Sequence, residues 1–260
     1  MKRIFRSVVV LAVVAILGMN CVIAQTKFSL HIGGSFPLGS YADCQDSPNS
    51  LQNGDYIIAW NTKTDKAGAA LGLNLGAKLR FNLPAIKGLG VIATTDLFFN
   101  PSNKEARDFS EDYWMIVCEN LNVKNYDINI PKYINVPIML GLNYEYNIKD
   151  NVKIWGEGDG GLNIGIITDL IMEASEYDYR FVSEINYDNQ YTFAFQLGAG
   201  VLISEQLSVG LHYYNLGSQR IEGLMKYTSI SDYGAQSERA RGAFDRINPN
   251  MLTLRFGYHF

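Results

Sequence analysis

The last ten residues, Met251-Leu-Thr-Leu-Arg-Phe-Gly-Tyr-His-Phe260, alternate without a break. Leu252, Leu254, Phe256, Tyr258 and Phe260 fall on one face; Met251, Thr253, Arg255, Gly257 and His259 fall on the other. Successive side chains of a strand point to opposite sides of the sheet, so this stretch predicts a strand with one apolar and one polar face. A terminal strand of that kind suits the closing strand of an outer-membrane barrel, with its apolar face towards lipid. Tyr258 and Phe260 then stand where a barrel carries the C-terminal signal read by the barrel-insertion machinery.

Working back from the C-terminus, the same alternation returns seven times. Strands are expected over 28–36, 68–82, 89–99, 133–146, 152–167, 191–203 and 207–214, before the last at 251–260. The connections run long, short, long, short, long, short, long: 38–66, 83–88, 100–131, 148–151, 168–190, 204–206 and 217–249. Short turns on one side and long loops on the other are the rhythm of an up-and-down membrane barrel with an even strand number. Each strand has about the 10 residues that a tilted strand needs to cross the hydrocarbon core. The expected fold is all-β: an eight-stranded antiparallel up-and-down transmembrane β-barrel, residues 25–260, with both termini on the periplasmic side. Phe36, Phe99, Tyr133 and Tyr191 are expected in an outer aromatic girdle, and Phe81, Tyr146, Tyr258 and Phe260 in an inner one. Pro137 sits inside the fourth strand and predicts a local bulge. Trp114-Met-Ile-Val117 in the second long loop, and Tyr177-Asp-Tyr-Arg-Phe181 in the third, read as short strands above the membrane, the latter open to edge pairing. A soluble lipocalin-like barrel would place the apolar rows inside, but these rows are too long and uniform for a small lumen, and many charges share the opposite face.

The start of the chain has another character. Lys2, Arg3 and Arg6 precede an apolar run from Val8 to Met19, and Val22-Ile23-Ala24 places small residues before Gln25. That predicts a cleavable signal peptide over 1–24 and export. Asn20 before Cys21 argues against a lipoprotein signal. Loss of the leader removes three cations and takes the formal charge from -4 to -7, a balance that excludes nucleic acid as a charge-driven partner. No apolar run long enough for a spanning helix remains, so any spanning structure must be a closed barrel. Two cysteines survive, Cys44 and Cys118, both in expected loops on one side. In an oxidising envelope they are either a disulfide or two thiols too far apart to join.

The short motifs Gly33-Gly-Ser-Phe-Pro-Leu-Gly39 and Tyr133-Ile-Asn-Val-Pro-Ile138, with the aromatic C-terminus, resemble the PorT-like outer-membrane β-barrel family of Bacteroidetes-type bacteria. The resemblance spans essentially the whole mature chain. It implies an eight-stranded barrel and varied tasks, one of them in protein secretion, so envelope or secretion-complex proteins join outer-membrane lipid and lipopolysaccharide as expected partners.

Candidate chemistry lies mainly on the polar face. Lys78, Arg80, Asp96, Glu145, Lys153, Glu157, Asp159 and Arg255 are all expected in the lumen. An eight-stranded lumen is just wide enough for side chains to fill, so these charges predict a salt-bridged plug and not a conduit. His212-Tyr-Tyr-Asn-Leu-Gly217 resembles the His-x-Ser-Asn motif of outer-membrane lipid A 3-O-deacylases, but Tyr214 stands in the serine position, and a tyrosine hydroxyl is not the nucleophile of that chemistry. His31 and His259 suggest no triad or metal cluster. Asp169, Glu173, Glu176, Asp178, Glu184 and Asp188 make the third loop acidic without calcium-loop spacing, so a solvated charge run is expected. No catalytic residue, cofactor or metal ligand is expected. The reading is a non-enzymatic barrel whose long loops bind a partner; the alternatives are a small pore and, with less support, a lipid hydrolase.

Overall fold

The computed structural model describes residues 26–44, 66–120, 123, 125–176, 179–231 and 234–260. The expected leader and most of the first long loop lie outside the described residues. Eight strands close into an antiparallel barrel: β1 (Thr26–Leu38), β2 (Gly72–Asn82), β3 (Leu89–Pro101), β5 (Lys132–Lys149), β6 (Val152–Ile167), β9 (Gln190–Ile203), β10 (Leu207–Asn215) and β13 (Asn250–His259). Each pairs with its neighbour in sequence, and β1 pairs with β13 from Ser29↔His259 to Leu38↔Asn250. The terminal strand therefore closes the ring, and no backbone edge of the barrel is left unpaired.

The alternation read from the sequence sets the faces. Leu140 is 68% exposed and Phe193 71% exposed on the outside of the ring, while Asn74, Asn163 and Gln196 inside it are fully buried. Leu30, Ile32, Leu73, Leu75, Leu142, Leu197, Leu211 and Phe256 continue the outer apolar belt. This is the reverse of a soluble barrel, whose apolar rows would be hidden.

Three long connections are not loops. They contain α1 (Lys104–Asn120), β4 (Asn125–Asn129), the hairpin β7 (Leu170–Glu176)–β8 (Tyr179–Tyr187) and the hairpin β11 (Gln219–Ser231)–β12 (Gly234–Ile247). The strands join in the order β12-β11-β8-β7-β4, a five-stranded antiparallel cap over the end opposite the short turns. The cap strands grow from the barrel strands with only two or three residues between, as at Ile167 to Leu170 and Asn215 to Gln219. Trp114–Val117 is accordingly helical, not a strand. Its helix begins at Asn103, whose Oδ1 accepts from the Ala106 N–H at 2.8 Å. The stretch 177–181 also differs from expectation: residues 177 and 178 lie outside the description, and Tyr179 opens β8, which pairs with β7 and β11 and offers no edge.

Two local expectations are corrected. Pro137 makes no bulge. The β3–β5 pairs run to Thr95↔Ile138 and resume in the same register at Phe98↔Asn135, while on the other side Pro137 stays opposite Asn163. A gap in one ladder accommodates the missing N–H without shifting register. Tyr133 is not a girdle residue either. It is buried, and its hydroxyl donates to the Ala67 carbonyl.

Candidate functional site: the charged lumen and its cap

All eight ionisable residues expected inside the barrel line its interior, and the register sorts them into layers. Asp96 on β3 is the centre of one. Its Oδ1 lies 2.6 Å from His31 Nε2 and accepts from Asn74 Nδ2 at 3.0 Å. Its Oδ2 accepts from the Tyr214 hydroxyl at 2.9 Å and lies 3.0 Å from an Arg255 guanidinium nitrogen. Glu157 on β6 centres the next. Lys78 Nζ and Asn143 Nδ2 approach Oε2 at 2.8 and 3.1 Å, and Gln196 Nε2 and His212 Nε2 approach Oε1 at 3.1 Å each. A buried carboxylate is tolerable only with such pairing, because isolation would cost several kcal/mol. Asp159 has neutral donors instead, Thr94 Oγ1 at 2.7 Å and Gln196 Nε2 at 3.1 Å. Nearer the short turns, Arg80 faces Glu145 at 3.1 Å, and Lys153 bridges Glu145 at 3.9 Å and Glu205 at 2.6 Å.

Small residues make room for the large ones. A Cβ at Gly198 would lie 2.2 Å from His212 Cδ2, and one at Gly76 would lie 2.3 Å from both Asp96 Oδ1 and His31 Nε2. Glycine at these rungs lets the rings cross the lumen. Lys78 sits 5.0 Å from the centre of the Trp155 ring and Arg255 sits 4.8 Å from that of Tyr214, so both cations also rest on aromatic faces.

The three histidines of the chain, His31, His212 and His259, converge on one void of about 20 Å³ between β1, β10 and β13, with Lys78, Trp155 and Arg255 around it. Sequence reasoning left them apart because they lie far from one another in the chain. The cue was available: strands that begin and end a barrel are neighbours. His259 meets Ser208 Oγ at 2.9 Å. Among the described residues no group of three or more histidines, cysteines and carboxylates could hold a metal. His212 and Tyr214 both point inward and are buried, away from the apolar outer face.

Towards the cap the lumen changes from ionic to amide and then to apolar. Asn135 Oδ1 accepts from Asn163 at 3.0 Å and from Gln219 at 2.7 Å. Above it, Phe98, Tyr133, Met139, Tyr214 and Met251 of the barrel share one buried cluster with Trp114, Cys118, Leu170, Met172, Ile185, Ile221 and Ile247 of the connections. That cluster joins the cap end of the barrel to the connections above it. Cys118 belongs to it, whereas Cys44 packs with Ala106 and Phe109 in a separate small cluster, and the two sulfurs are not bridged. Burial pushes the Cys118 thiol up. Of the acidic third connection, Glu173 is paired by Arg180 at 2.7 and 2.9 Å and Asp188 by Arg241, all at exposed positions. Tyr258 and Phe260 lie exposed at the turn end, their rings 4.9 Å apart, and the Phe260 N–H donates to the Phe28 carbonyl at 2.9 Å.

Fold and interior together define a capped, closed eight-stranded antiparallel barrel with a polar, ion-paired core and an apolar exterior. No family model and no curated protein matches the chain. Solved structures similar to it include a major outer membrane protein from Thermus thermophilus (12% identity, 90% of this chain and 99% of that one, TM-score 0.43) and the outer membrane protein OprG from Pseudomonas aeruginosa (13%, 91% and 96%, 0.42). The attachment invasion locus protein Ail of Yersinia pestis is similar at 13% identity, covering 91% and 99%, with a TM-score of 0.37. The fold assignment rests on the chain's own geometry.

Proposed function

We propose that the chain is a non-enzymatic integral protein of the outer membrane whose folded cap is its working surface. The observation that carries this is the inversion of the barrel: a ring of exposed Leu, Ile and Phe outside, and buried Asp96, Glu157, Asp159 and Arg255 within. Burying exposed aliphatic surface in hydrocarbon removes it from water at about 25 cal/mol per Å², a gain available only in lipid. With no family model matching, the PorT-like reading rests on its short motifs alone, and a role beside secretion or assembly proteins is carried as part of this proposal.

The lumen is read as a plug. Ion pairs cross it at two levels, and the apolar cluster covers its outer end. Planar-bilayer recording tests this directly: the expected outcome is a silent membrane, and stable stepwise currents would move the protein to the pore class. Affinity capture from native outer membranes, using the full chain, tests the cap. Envelope or secretion components should be retained by the intact protein and lost when the β11–β12 hairpin is replaced by a short turn, with the barrel still folded by circular dichroism.

A further inference from the structure

Beside the short turns lies a vestibule of about 640 Å³, lined from β1, β2, β3, β5, β6 and the turn over 83–88, whose wall includes Lys27, Arg80, Lys87 and Lys153. Lys27 and Arg80 are direct partners in the β1–β2 ladder, a rung of like charge that works against the pairing it sits in. Four cations meet two carboxylates here, Glu145 in the wall and Glu205 at the rim, which leaves an excess of two positive charges. The layers behind carry no such excess: there Lys78 and Arg255 face Asp96, Glu157 and Asp159. Positive charge is thus concentrated at the mouth. Lys27 holds Glu205 only at 3.6 Å, and Lys87 makes no ion pair among the described residues. Leu83, Leu89 and Tyr144 complete the wall with apolar and aromatic surface.

We propose that this vestibule binds a phosphate-bearing ligand. Three lysines and an arginine around one cavity suit a compact oxyanion, since each N–H donor gains from the full negative charge. The volume exceeds that of a lone phosphate and leaves room for a small polar group attached to it. Two sources carry that chemistry on this side of the membrane: a soluble phosphomonoester and the headgroup of an anionic phospholipid. The inference rests on the proposed membrane placement but goes beyond the cap function, whose capture experiment can fail without touching it.

The test uses the full chain in phosphatidylcholine nanodiscs. Calorimetric titration with glycerol 1-phosphate reads the soluble source; incorporation of phosphatidylglycerol, followed by lipid analysis after detergent exchange, reads the lipid source. Saturable binding in the first arm, or retention of phosphatidylglycerol in the second, supports the site and identifies its source. The double variant Lys27→Gln/Lys87→Gln should weaken either signal about tenfold, with Lys149→Gln on the neighbouring turn as the control that does not. Neither arm showing binding, or binding untouched by the double variant while circular dichroism reports an intact barrel, overturns it.

Discussion

Asp96 shows how one residue organises this lumen. Four side chains from β1, β2, β10 and β13 converge on its two oxygens. Removing it leaves Arg255 buried without its carboxylate, and breaking a buried pair from one side costs about 3–5 kcal/mol. Asp96→Ala should therefore lower unfolding stability by that amount in detergent micelles, read from urea titration of tryptophan fluorescence. A loss under about 1 kcal/mol, the range of an exposed ion pair, would mean that the lumen is wet and the network loose. Sequence reasoning could place Asp96 on the inner face but could not choose its partners. Parity of spacing tells which face a residue takes; only register and closure tell which of eight inward rows it meets.

At the scale of elements, α1 and the short turns make separate predictions. Asn103 caps the helix and its Nδ2 donates to the Ala42 carbonyl at 2.9 Å, so it ties the helix to the chain leaving β1. Asn103→Ala should cost about 1 kcal/mol, measured by the same urea titration, and the change should be confined to the cap when hydrogen exchange is followed. The helix was legible in principle. Ala106, Phe109, Ser110, Trp114 and Cys118 are all buried, at helical spacing behind an Asn cap. The short apolar run Trp114-Met-Ile-Val117 fits either a helix or a strand, and its alternating neighbours favour the strand reading. In the turn between β9 and β10, the hydrogen bond from Lys153, with Lys27 nearby, holds the Glu205 carboxyl below its ordinary value of 4.5. A depressed carboxylate adds stability above that ordinary value and loses it as pH falls through the lowered one. Glu205→Gln should cost no more than about 1 kcal/mol at pH 7, given its exposure, and the two proteins should converge in acid. A difference that persists or grows on acidification would assign the effect to packing and not to charge.

For the whole molecule, the governing contrast is between a greasy exterior and an ionic interior. Leu140 stands near the middle of β5, exposed on the outer face and flanked by Ala93 and Gly160 on the neighbouring strands. If that face meets hydrocarbon, Leu140→Arg should destabilise the folded barrel by about 2–4 kcal/mol in phospholipid vesicles. An effect near zero there would place Leu140 in water and break the membrane reading.

Eight barrel strands, their faces, the short turns and the inward placement of eight charges were all carried by local pattern. Alternation is a property of neighbouring residues, and a strand has no choice but to turn it into two faces. Tertiary structure alone decided the rest: that β1 meets β13, that three distant histidines share one void, that Cys44 and Cys118 lie in different clusters, and that three polar connections fold into a cap. The cap strands are mixed in composition because their burial comes from stacking on a barrel end and on each other. Their apolar positions, Leu170, Met172, Ile185 and Ile221 among them, acquire a common interior only once the ring has closed and brought their roots together.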